Sequence, residues 1–117
     1  MKTYRADAER DGQFWHVRVP EVEWSTQARD LAEVEAMARD LIAVMDEVPA
    51  DSFTLDLRIA FTAQAKRWAG GWELHVDGVG VTQSRTLDDA DQMVRDYIES
   101  LTGRGTTGDA VEIAVFG

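Results

Sequence analysis

Apolar and polar residues alternate along Phe14-Trp15-His16-Val17-Arg18-Val19 and again along Trp72-Glu73-Leu74-His75-Val76-Asp77. A period of two puts every second side chain on one face and predicts a half-buried strand in each place. Turn residues precede both runs, Asp11-Gly12 in one case and Gly70-Gly71 in the other. Glycine takes positive φ freely, so each turn predicts a hairpin back to an earlier strand, over 3–9 and 62–68. Further on, the period lengthens. Val34, Met37, Ala38, Leu41 and Met45 follow a helical spacing, as do Ala90, Met93, Val94, Tyr97 and Leu101, and each set predicts one apolar helix face. Asp30-x-x-Glu33 and Thr86-x-x-Asp89 precede these faces and supply side-chain oxygens for the first, unpaired amides. The first helix is expected to stop before Val48-Pro49 and the second at Gly103. Alternating strands over 53–61 and 110–116 close the two units, the second after an irregular loop over 103–109.

The two halves match each other. At an offset of 56, residues 26–42 share eight identities in 17 positions with 82–98, including Thr26-Gln27, Met37 and Arg39-Asp40 against Thr82-Gln83, Met93 and Arg95-Asp96. Chance would give about one. Upstream, Trp15, Val19 and Val22 match Trp72, Val76 and Val79 at an offset of 57, so the first copy carries one extra residue around Glu23-Trp24-Ser25. The expectation is an α+β fold: a tandem repeat of a β-β-(β)-α-β unit, copies over 1–60 and 61–117, joined stiffly and packed as one compact domain. One helix covers only one face of a sheet. Two antiparallel sheet-and-helix halves related by a pseudo-twofold axis would resolve this within one chain, as a homodimer would with two.

Charge narrows the partners. The chain of 117 residues has 22 acidic and 12 basic residues, a formal net charge of −10. The first 60 residues hold 13 acids and 7 bases and the remainder 9 and 5, so both halves are acidic. Duplex binding draws most of its affinity from Lys and Arg displacing counterions, and direct contact with nucleic acid is therefore not expected. A basic protein partner suits the field, and solubility accounts for the charge equally well. Cysteine is absent, which removes disulfides, thiolate metal sites and thiol nucleophiles. The N-terminal residues contain no apolar segment of the signal-peptide kind and no run approaches a membrane span, so a soluble, cytoplasmic protein is expected.

Candidate chemistry is sparse. His16 and His75 occupy non-equivalent repeat positions on the polar side of their strands and read as ordinary exposed histidines; no metal or cofactor is expected. Glu35 and Arg39, like Asp91 and Arg95, stand four residues apart with the acid first, the spacing of a helix-surface ion pair. Asp77-Gly78-Val79-Gly80 imitates part of a nucleotide loop but runs into strand-like Val81-Thr82, so the helix N-terminus that cradles phosphate is missing. Trp15 and Trp72 are repeat-equivalent and read as core. Trp24 sits in the insertion beside Glu21 and Glu23, with no counterpart in the second copy. Either it covers a sheet edge or it is an exposed aromatic anchor of the kind that dominates interfaces; Trp68 presents the same choice.

The run Tyr4…Glu9-Arg10-Asp11-Gly12-Gln13-Phe14-Trp15-His16-Val17-Arg18-Val19-Pro20-Glu21-Val22 resembles the N-terminal domain of HicB-type antitoxins, which begin with a strand, a glycine turn, an aromatic strand and a Val-Pro-Glu step. Their Thr-Gln-Gly-Asp-Thr-like segment is similar to Thr82-Gln83-Ser84-Arg85-Thr86-Leu87-Asp88-Asp89-Ala90 and, more loosely, to Thr26-Gln27-Ala28-Arg29-Asp30. The second copy has Asp77-Gly78 where Pro20-Glu21 stands. The resemblance implies a partial RNase H-like fold without nuclease activity that binds and blocks HicA, a small basic RNA-cleaving toxin. Most such antitoxins add a C-terminal DNA-binding region; none follows the second closing strand here, so repression of an operon is not expected. RNase H chemistry needs several carboxylates converging on metal ions. Asp7 is one, whereas the matching Gln64-Ala65-Lys66-Arg67 has none, and no catalysis is expected. The candidate partner-binding residues are Pro20, Glu21, Glu23 and Trp24, together with the strand edges. The alternative is a stand-alone structural or regulatory module that keeps the fold without a toxin.

Overall fold

Alternation becomes strand and the longer period becomes helix in the computed structural model, which describes residues 1–116. The order is β1 (Thr3–Asp11), β2 (Phe14–Val19), a 3-10 turn (Pro20–Val22), β3 (Trp24–Ala28), a second 3-10 turn (Leu31–Glu33), α1 (Val34–Asp46), β4 (Thr54–Trp68), β5 (Gly71–Val76), β6 (Gly80–Ser84), α2 (Ala90–Thr102) and β7 (Ala110–Phe116). The strands form a mixed, seven-stranded sheet, and the fold is α+β. No helix among the described residues is long and apolar enough to cross a membrane. Contacts divide the chain into one unit over Met1–Ile59 and another from Ala60 onward, with the 15-residue β4 contributing to both.

In the first unit the strand order is β3-β2-β1-β4, with β1, β2 and β3 successively antiparallel. In the second, β6 and β5 are antiparallel neighbours, β5 pairs antiparallel with β4, and β7 returns parallel to β4. Both hairpin turns fall one residue away from the positions expected. The pairs Asp11–Phe14 and Trp68–Gly71 close them, leaving Gly12-Gln13 and Ala69-Gly70 as the turn residues. Gly12 takes a left-handed φ of 62° as the first turn residue, and Trp15 faces inward opposite Arg10.

Each strand buries one face. Tyr4, Ala6 and Ala8 of β1, Trp15, Val17 and Val19 of β2, and Ile59 of β4 form the first core; Phe61, Ala63 and Ala65 of β4 with Leu74 and Val76 of β5 form the second. The helices close these cores with a narrower stripe than their periodicity suggests. Val34, Ala38 and Ile42 are fully buried on α1, as are Ala90, Val94 and Ile98 on α2. Met45, Met93 and Leu101, expected on that face, are 44%, 37% and 56% exposed. Small and β-branched residues one turn apart let the helix sit close to the sheet, and the longer side chains splay to its flanks.

Caps form where they were expected. The Asp30 carboxylate accepts the Glu33 amide at 3.1 Å, and Thr86 Oγ1 accepts the Asp89 amide at 3.3 Å. Both helices end in a left-handed residue, Glu47 at φ 53° and Gly103 at φ 70°. At the end of α1 the Asp46 carboxylate accepts a hydrogen bond from the Tyr4 hydroxyl, whose ring packs edge-on to Phe53 at 5.0 Å. That hydrogen bond, reinforced by burial and opposed by Lys2, holds the Tyr4 phenol above its ordinary pKa of 10.0.

The arginines of the repeated Arg-Asp pairs do more than sit in surface ion pairs. Arg39 Nη1 donates to the carbonyls of Ala50 at 2.9 Å and Phe53 at 3.2 Å. Arg95 Nη1 donates to those of Thr106 at 2.7 Å and Asp109 at 3.2 Å. The helix-surface pair forms in the second unit, Arg95 Nε to Asp91 Oδ1 at 2.7 Å, and Glu35–Arg39 is not among the ion pairs of the described residues. Charge-assisted hydrogen bonds to part-buried carbonyls outweigh an exposed ion pair. Arg39→Met and Arg95→Met should each cost about 2 kcal/mol in urea unfolding, while Asp91→Asn should cost less than about 0.5 kcal/mol. Glu47→Gly should raise stability by about 0.5–1 kcal/mol and Gly103→Glu should lower it by about 1 kcal/mol, because only glycine adopts left-handed φ without a Cβ penalty.

Candidate functional site

The surface that distinguishes the first unit begins where β2 ends. Proline has no amide proton to continue the ladder, and Pro20 instead opens the 3-10 turn. Its carbonyl accepts the Glu23 amide at 3.0 Å. The Arg5 amide of β1 is held by the Glu21 carboxylate, at 3.1 and 3.3 Å. In the second unit the backbone keeps the donor that proline removes, Asp77 N to Thr62 O at 2.9 Å. Pro20 lacks that donor and its carbonyl is taken by the Glu23 amide, so the Glu21 carboxylate accepts the Arg5 amide in the carbonyl's place.

The chain then reverses through Glu23, in the left-handed region at φ 53° without being glycine. A non-glycine residue there is uncommon and is held by its surroundings, here the bond to Pro20 and the β3 ladder that follows. The reversal delivers Trp24 into register opposite Val19, 61% exposed. Beside it lies an open groove of about 550 Å³ lined by His16, Arg18, Pro20, Glu23, Trp24 and Ser25. Of the four residues expected to bind a partner, Pro20, Glu23 and Trp24 meet at this groove, and Glu21 is occupied in holding the turn. His16, Arg18 and Ser25 are additional; they project from the open face of β2 and β3, where Arg18 pairs with Asp7 on one side and Ser25 on the other.

The second unit is built differently at the matching place. Gly80 faces Val76 in register, as Trp24 faces Val19. A Cβ on Gly80 would lie 2.1 Å from the Tyr97 hydroxyl, so the tyrosine occupies the space a side chain would need. The neighbouring groove, about 430 Å³, is lined by Thr62, Gln64, His75, Asp77 and the turn residues. His75 is half-buried rather than freely exposed, its Nε2 2.6 Å from Glu73 Oε1. A third groove, about 490 Å³, is lined in part by Trp68 and Met93, and the Trp68 ring lies over Gly70 where a Cβ would meet it at 2.7 Å.

The carboxylate of catalytic interest, Asp7, bonds Arg5 Nε at 3.1 Å. Among the described residues no three His, Cys, Asp or Glu side chains converge as metal ligands. The residues from Asp77 to Val79 form a turn that leads into β6 rather than into a helix, so they offer no phosphate cradle. Comparison with protein families, with curated proteins and with solved structures finds no match to this chain.

The two kinds of tryptophan should separate by mutation. Trp15, with 0% exposure, should cost about 3–5 kcal/mol when changed to alanine, and Trp24→Ala about 1 kcal/mol or less, read from urea unfolding.

Proposed function

We propose that this chain is a non-catalytic protein-binding module resembling HicB antitoxins, built from two copies of one unit and directed at a small basic partner such as a HicA-like RNA-cleaving toxin. The observation that carries the reading is Trp24: a large indole, 61% exposed, displayed by a strained turn beside Glu23. Indoles anchor interfaces because they bury much apolar area at little entropic cost. The net charge of −10 adds attraction for a basic protein and speeds encounter with it. In this reading the two copies differ at the displayed segment, which favours binding through the first.

A second reading, a stand-alone structural or regulatory module, draws on the acids that are already engaged within the fold, Glu21 with Arg5 and Asp91 with Arg95. Co-expression with a small basic reading frame adjacent to its gene separates the two. The binding reading expects co-purification, relief of that protein's toxicity, and a loss of affinity of at least about thirtyfold in Trp24→Ala. Absence of both co-purification and relief of toxicity would sink it.

A further inference from the structure

The backbone of β3 carries a consequence for how a partner docks. A two-residue turn closes the β1–β2 hairpin on Asp11–Phe14, a pair that exchanges hydrogen bonds in such turns. Phe14, His16 and Arg18 therefore direct their backbone groups at β1, and Trp15, Val17 and Val19 direct theirs at Ala28, Thr26 and Trp24 of β3. Ser25 and Gln27 remain, with amides and carbonyls turned away from β2. Among the described residues no strand lies beyond β3, so these groups form a free edge.

Natural edge strands are ordinarily guarded by charge, proline or a bulge. The β3 sequence, Trp-Ser-Thr-Gln-Ala, contains no charge and no proline, and its register with β2 runs without a bulge. The edge of the second unit, β6, is equally uncharged, but it opens on Gly80 instead of an indole. Acids flank β3 in sequence, Glu21 and Glu23 before it and Asp30 and Glu33 after it, with Arg29 turned onto Glu33 at 3.6 Å. Each copy of the chain carries a net charge of −10, which opposes pairing of this edge with itself.

We propose that β3 is a docking edge on which an extended, basic segment of a partner protein adds as a further strand, hydrogen-bonded to Ser25 and Gln27 and anchored on Trp24. This rests on the reading of the chain as a binding module and specifies its mode. The test uses the whole chain and a short, capped peptide of alternating lysine and valine. On titration, amide exchange at Ser25 and Gln27 should slow at least about tenfold, while Thr26, already in the ladder, should not change. Ser25→Pro and Gln27→Pro each remove an outward donor and spare the β2 ladder, so they should weaken the peptide about tenfold with circular dichroism unchanged. Gln83→Pro, the outward position on β6, should leave binding as it was. The proposal is overturned if the peptide protects neither amide or binds the proline variants equally. It also fails if an N-methylated peptide binds as well, or if protection rises with protein concentration alone, the mark of a second copy. Should a co-expressed basic partner bind the proline variants undiminished, the edge is wrong and the binding reading stands.

Discussion

A helix laid across a sheet has to return the chain to a strand, and in each unit one guanidinium governs that return. Arg39 and Arg95 each hold two loop carbonyls, and the second of these belongs to Phe53 or Asp109, the residue immediately before β4 or β7. A planar, permanently charged fork satisfies acceptors that the irregular loop would otherwise leave part-buried and unpaired. It also sets the point at which the closing strand enters. Strand periodicity is two, so an entry displaced by one residue would turn Ile59 outward and Arg58 inward. The cap at one end of each helix and the guanidinium near the other thus bracket the register of everything between them.

On that shared frame, the tip of the β2–β3 connection is the part free to vary. Pro20 removes a ladder donor and turns its carbonyl onto the Glu23 amide, so Glu21 accepts the Arg5 amide in its place, and Glu23 makes the sharp reversal in an unfavourable conformation. These departures from regular geometry converge on one exposed indole.

Much of this frame was legible in the residues. Alternation located β2, β5 and β7, the Asp30 and Thr86 signals located the helix starts, and Gly103 located a helix end. Three features escaped, each for a stated reason. Both turns shifted by one residue, a choice that alternation leaves open because a turn displaced by one residue moves the pairing by two and keeps the same side chains on the inner face. Ile42 and Ile98 were passed over as core because periodicity marks a broad apolar face without saying which stripe lies nearest the sheet. Arg39 and Arg95 looked like surface partners of nearby acids because loop carbonyls have no signature in sequence. At the candidate site, Pro20, Glu23 and Trp24 stood out through an insertion. His16, Arg18 and Ser25 join them only through cross-strand register, which no local pattern encodes.

The Tyr97 hydroxyl, seated where a side chain on Gly80 would go, restricts how the second half could ever change. In the first half the matching residues are Leu41 and Trp24, so the volume sits on the strand instead of the helix. An indole introduced at position 80 while Tyr97 is present would meet its ring; shortening Tyr97 first would open the space. Gly80 also has a φ of 152°, which side-chain-bearing residues rarely adopt, so a tryptophan form needs the strand backbone to change as well as the helix residue.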